Sequence, residues 1–211
     1  MVELYITNIK KLCDKSKIDS ILMHISAYRK EKYDNAKNDE VKLQILTVSF
    51  LIDEYLKTFD LREENMLYGF TGNGKPYFKN EGNIKFSITH SKELVGVAFS
   101  DREVGFDVQV VKSIGDAIYN RALSEKEKED VLSRKNDKEK LNQFFKYWVM
   151  KEAILKRDGT GLISNMKDIN DDYCIVGTLD AVNAKELISK DEIYYYCVNN
   201  AFDKEITINI L

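Results

Sequence analysis

The sequence predicts an α+β fold made of two halves, residues 1–103 and 104–211. Three observations carry this. Short runs of alternating apolar residues mark strands in both halves. Longer runs with apolar residues every three or four positions mark helices in both halves. Turn signals between the strands are short, which favours antiparallel neighbours over long parallel crossovers.

Glu3 to Ile9 alternates and reads as a strand. Ile18 to Tyr33 reads as one basic amphipathic helix. Asp39 to Phe59 is a second helix, with Val41, Ile45, Val48, Ile52, Tyr55 and Phe59 close to a seven-residue repeat. Tyr68 to Phe78 is rich in turn residues. Strands follow at Ile84–Thr89, Leu94–Ser100 and Val104–Val111, with Asp101 and Arg102 supplying a tight connection between the last two. The second half opens with a helix over Asp116–Ala122. Ser124 to Glu127 is a capping-box signature that starts another. Arg134 to Lys140 is a solvated charge run, and a long helix covers Leu141 to Arg157 until Gly159 and Gly161 stop it. Strands are expected at Tyr173–Leu179, Glu192–Val198 and Glu205–Leu211.

Composition excludes several classes. Of 211 residues, 44% are hydrophobic, enough for a substantial core. Charged residues make up 32% with both signs mixed and a net charge of −3, which advertises neither a nucleic-acid nor a membrane surface. No apolar run approaches the ~20 residues of a membrane span, and the N-terminus lacks a basic segment leading into an apolar one. The expectation is a cytoplasmic protein. Cys13, Cys174 and Cys197 are odd in number and lack C-x-x-C spacing, against a disulfide framework or a structural zinc.

Asp107 and Gln109 share one face of a strand whose other face is Val104, Phe106, Val108 and Val110. A carboxylate inside an apolar strand is costly unless paired, hydrogen-bonded or bound to a cation. Glu152 is the odd member of the stripe Leu141, Phe145, Trp148, Glu152 and Leu155, flanked by Lys151 and Lys156. Each acid alone reads as a partly exposed surface group. A divalent cation between them answers both anomalies, and a shell of carboxylate, amide and phosphate oxygens suits Mg²⁺ better than zinc.

Further elements suggest anions. The strand Phe86 to Ile88 ends in the polar Thr89, His90 and Ser91. The turn Gly72 to Phe78 presents Lys75 before Pro76. Gly69, Gly74 and Lys75 nearly meet the phosphate-loop pattern, but Pro76 stands where Ser or Thr is needed. The nucleotide-triphosphatase reading fails there. Arg29, Lys30 and Lys32 form a basic cluster on a helix, a solvated face or a seat for a phosphate monoester.

In this order the elements resemble the longer, two-halved 4′-phosphopantetheinyl transferases, the type that activates surfactin synthetase. Gly74-Lys75-Pro76 is similar to that family's G-K-P segment, and Phe86 to Ser91 to its F-x-[IV]-[ST]-H-[ST] segment. Gly105 to Val108 resembles its G-[IVF]-D-[IV] motif, and Trp148 to Lys156 its W-x-x-K-E-[AS]-x-x-K motif, followed by Gly159-Thr160-Gly161-Leu162. The resemblance implies two halves in pseudo-twofold arrangement with coenzyme A in the cleft between them. It implies Mg²⁺ on Asp107 and Glu152, with Gln109 where many members carry glutamate, so one negative charge fewer. It implies phosphate contacts from Lys75, Pro76, Thr89, His90, Lys151 and Lys156, and a 3′-phosphate seat at Arg29 and Lys32. Glu152, Lys156 and His90 fall at the reaction centre, with Glu152 the candidate base. The implied partner is an acyl or peptidyl carrier protein, and the implied state a monomer. The residues alone leave open a coenzyme A-binding module without transferase activity, or an Mg²⁺-dependent phosphate-ester hydrolase.

Overall fold

A computed structural model describes residues 1–161, 166–169, 173–180, 183–185, 187–200 and 205–211. Leu162, the last residue of the glycine-turn match, lies outside the described residues. The architecture is α+β. In chain order it runs β1 (Val2–Asn8), α1 (Lys15–Met23), α2 (Ala27–Asp34), α3 (Asp39–Lys57), β2 (Tyr68–Phe70), β3 (Pro76–Phe78), β4 (Lys85–Ser91) and β5 (Leu94–Ser100). It continues through β6 (Gly105–Val110), α4 (Asp116–Ala122), α5 (Glu125–Leu132), α6 (Asp137–Asp158), β7 (Cys174–Leu179), β8 (Tyr194–Asn199) and β9 (Ile206–Ile210).

One sheet has the order β4-β5-β1-β9 and another β6-β8-β7. Up to β8, each half runs strand, three helices, two strands, with a small β2-β3 hairpin inserted in the first. In both, the first strand lies beside the last, so order 4-5-1 matches order 7-8-6. β9 breaks the division by sequence. It pairs parallel with β1, Leu4 opposite Ile208, and so joins the first sheet.

Three apolar clusters fill the interior. Val48, Leu51, Ile52 and Tyr55 of α3 pack on Val95, Val97 and Phe99 of β5. The sheet's opposite face, Leu4, Ile6 and Ala98, packs on Phe106, Val108 and Val110 of β6. The far side of β6 and β8 is covered by Phe145, Val149 and Ala153 of α6. β6 therefore lies sandwiched, its apolar face to the first sheet and the face of Asp107 to α6.

Local chemistry sets the boundaries. Ser124 and Glu127 form both hydrogen bonds of a capping box at α5. Gly159 closes α6 at φ 65°, the left-handed conformation that glycine adopts without a Cβ clash. Gly105 is required by proximity, since a Cβ there would sit 1.8 Å from the Ala153 carbonyl oxygen of α6.

Three expectations need correction. The single helix over Ile18–Tyr33 is two, α1 and α2, because Ser26 takes extended backbone (ψ 153°) and caps α2 by accepting from Arg29 N. The Tyr68–Phe78 turn region contains the hairpin β2-β3. Asp107 is also no surface residue, being 1% exposed. Among the described residues no helix is long and apolar enough to cross a membrane.

Candidate active site

The joint between the sheets is made by side chains. Ser87, Thr89 and Ser91 occupy alternate positions of β4. Their hydroxyl oxygens accept from the backbone N–H groups of Phe106, Val108 and Val110 at 3.0, 3.1 and 3.1 Å. The free edge of β6 is thus satisfied by hydroxyls in place of carbonyls. Two of these hydroxyls also donate onward, Thr89 to Asp107 Oδ1 at 2.9 Å and Ser91 to Gln109 Oε1 at 3.3 Å. The strand pairing therefore fixes the acidic face of β6.

α6 supplies the opposing groups. Glu152 and Lys156 lie one helical turn apart and share a face. Lys156 Nζ donates to Asp107 Oδ1 at 2.6 Å. Asp107 Oδ2 is buried and has no hydrogen-bond partner among the described residues. Burial, then the neighbouring Asp107 charge, pushes the Glu152 carboxyl up to about 7, against a smaller downward pull from Lys156. Two carboxylates against one ammonium leave an excess of negative charge in a desolvated place. One oxygen is orphaned and the second acid reluctant to ionise. Hard oxygen donors in that state fit Mg²⁺, with Gln109 beside them on the same face.

Glu152 borders a cavity of about 600 Å³, with Asp107 behind it. Its walls include Arg29 and Lys32 from α2, Val41 and Ile45 from α3, His90 from β4, the turn Asn73 to Pro76, and Glu152 and Lys156 from α6. The His90 ring still reaches solvent, yet surrounding protein and the Lys156 charge hold its pKa below the ordinary imidazole value, so it is neutral at pH 7.

Of the residues singled out in the sequence, the fold brings Arg29, Lys32, Lys75, Pro76, His90, Glu152 and Lys156 to this cavity. Thr89 sits behind it as the support of Asp107. Lys75 reaches the cavity wall, but its ammonium already donates to Glu103 Oε2 at 2.8 Å, Arg157 O at 2.8 Å and Val104 O at 3.3 Å. Lys151 is placed elsewhere. It is 2% exposed, and its ammonium donates to Glu127 Oε2 and Met166 O, each at 2.7 Å. The reason is angular, since successive helix residues point about 100° apart and Glu152 already takes the cavity side. Sequence reasoning missed the hydroxyl ladder, although small hydroxyl residues at alternate positions of an apolar strand are its signal.

Residues 103–196 match the family model of the 4′-phosphopantetheinyl transferase superfamily, a stretch holding Asp107, Glu152 and Lys156. A 4′-phosphopantetheinyl transferase of Bacillus subtilis is 29% identical over 145 residues, 68% of this chain and 64% of the relative. One of Bacillus pumilus is 35% identical over 104 residues, 49% of this chain and 44% of the relative. One of Aneurinibacillus migulanus is 26% identical over 163 residues, 77% of this chain and 68% of the relative. The chain thus spans less than two thirds of the length of the first two. These matches make the stretch that holds Asp107, Glu152 and Lys156 similar to the 4′-phosphopantetheinyl transferase superfamily.

Proposed function

We propose that this protein transfers the 4′-phosphopantetheine arm of coenzyme A to a serine hydroxyl of an acyl or peptidyl carrier protein, releasing adenosine 3′,5′-bisphosphate. The observation that carries this reading is the buried Asp107, with an orphaned carboxylate oxygen, beside the half-buried Glu152 on the wall of a cavity that Arg29, Lys32, His90 and Lys156 also line. Asp107 and Glu152, with the amide oxygen of Gln109, would hold Mg²⁺. When bound, the ion supplies positive charge to the pyrophosphate oxygens.

The remaining work falls to the chain itself, mainly positioning and charge neutralisation. Arg29 and Lys32 take the 3′-phosphate end of coenzyme A. Lys156, on the α6 wall of the cavity, faces the pyrophosphate. The serine Oγ–P bond forms on the phosphorus bearing the pantetheine arm as the bridging P–O bond breaks. The leaving phosphate departs with the adenosine. Glu152 accepts the serine proton at a carboxylate oxygen. Neutral His90 hydrogen-bonds a phosphate oxygen without adding charge. Lys75 acts from behind, fixing the glycine turn to the end of α6 through the Arg157 carbonyl.

The same reading relates the halves 1–103 and 104–211 by a pseudo-twofold axis, supported by their matching strand orders. It takes the protein as a cytoplasmic monomer with neither nucleic-acid nor membrane partners. The test is incubation with coenzyme A, Mg²⁺ and an apo carrier protein, followed by mass measurement of the carrier. The expected result is a gain of one phosphopantetheine. An unmodified carrier with bound coenzyme A indicates a binding module. Cleavage of coenzyme A without a carrier indicates a hydrolase.

A further inference from the structure

The α2 wall of the cavity rests on a buried carboxylate outside every sequence motif. Glu63 begins a short 3-10 turn, Glu63–Asn65, and is 1% exposed. Its Oε2 accepts from Ser26 N at 2.5 Å, and its Oε1 accepts from Ser26 Oγ at 2.6 Å and Tyr68 OH at 2.9 Å. Arg29 Nε lies 3.5 Å from Oε1 and donates to Tyr68 OH at 3.2 Å. The Tyr68 phenol therefore accepts from the base and donates to the acid. Burial pushes its pKa far up, so it keeps the proton it donates.

This buried ion pair is lopsided. Every oxygen of the acid is used, while Arg29, 3% exposed and on the cavity wall, has an Nη2 with no hydrogen-bond partner. A guanidinium held by one edge keeps its fork rigid and its other edge uncommitted, the state suited to bidentate capture of a phosphate. A carboxylate present only to neutralise Arg29 would not need the Tyr68 relay, nor a grip on the cap of the helix that carries Arg29. Resting on the coenzyme A reading above, the geometry points to Glu63 and Tyr68 as positioning residues that hold Arg29 for the 3′-phosphate and so set the selectivity of the cleft for a ligand bearing it.

The test is calorimetric titration of the full chain with adenosine 3′,5′-bisphosphate and with adenosine 5′-monophosphate, alongside thermal unfolding. Tyr68→Phe removes the relay without changing charge. It is expected to weaken the bisphosphate about tenfold, the scale of one charge-assisted hydrogen bond, and to leave the monophosphate within about twofold. Glu63→Gln, where it folds, should shift the same ratio further. Equal weakening of both ligands, or no change in their ratio with Tyr68→Phe, would mean that the network only stabilises the fold, and the inference falls. If the unaltered protein binds neither nucleotide, the coenzyme A reading fails first and this inference with it.

Discussion

At the scale of single residues, Glu152 links stability to pH. Its folded pKa of about 7 stands above the ordinary 4.5. A raised carboxyl binds its proton more tightly folded than unfolded. It therefore does not penalise folding below pH 4.5. The penalty grows as pH rises toward 7 and is complete above it. Its ceiling is about 3 kcal/mol, lowered by solvent screening of a group that is only partly buried. In metal-free buffer, Glu152→Gln should raise Tm at pH 8 and change it little at pH 5. A gain equal at both pH values, or none, removes charge repulsion as the cause. The same variant should lose transfer activity, since a site that stores like charge does so at the expense of the fold. Lys151 predicts the reverse division. Lys151→Met strips the buried Glu127 bond and should cost about 3 kcal/mol, while the dissociation constant for coenzyme A stays unchanged. A weakened constant at full folding would return Lys151 to the phosphate site. Asp107 and Glu152 stand out in the sequence because each interrupts an apolar pattern, whereas Lys156 enters through the family resemblance. Glu63 and the particular use of Lys75 do not stand out, because loops and long flexible side chains leave no periodic trace.

At the scale of elements, the contact of β6 with α6 is set by one missing side chain. Gly105→Ala puts a methyl within 1.8 Å of the Ala153 carbonyl oxygen, and backbone on both sides resists moving. A loss of more than about 3 kcal/mol in denaturant unfolding is expected, at the severe end for overpacking. Gly82→Ala, whose added methyl would have nothing within 4 Å, should stay within about 0.5 kcal/mol. Comparable losses at both positions would mean that the helix-strand approach at Gly105 is loose. Strand and helix identities were readable from periodicity, down to Leu94–Ser100 and Asp116–Ala122. The division of α1 from α2 was not, although Ser26 caps α2 locally; its further hold on Glu63 spans 37 residues. Local pattern cannot report a bond of that span.

For the whole molecule, the apolar layer shared by β1, β5 and β6 joins the halves into one cooperative unit. Unfolding in urea followed by the fluorescence of Trp148, in α6, should coincide with unfolding followed by far-ultraviolet circular dichroism. Two separated transitions would show the halves melting independently. The mixed α and β character was legible because strand and helix periodicities alternate along the chain. The crossing of β9 was not, because Ile206–Ile210 reads as a strand whichever sheet receives it. Its attachment is more than ladder bonds. Leu211 O accepts from Thr7 Oγ1 at 2.5 Å and from Lys11 Nζ at 3.0 Å, and Leu211 N donates to Ile6 O at 3.1 Å. That fastening makes the protein a natural subject for fragment complementation. A polypeptide severed at the 101–103 turn yields pieces of which neither is self-sufficient, for the later piece carries a strand the earlier one lacks. Co-expressed, 1–101 and 102–211 should purify together, and 102–204 should not be retained by 1–101. The tail then behaves as a built-in affinity handle, holding its own front end in place.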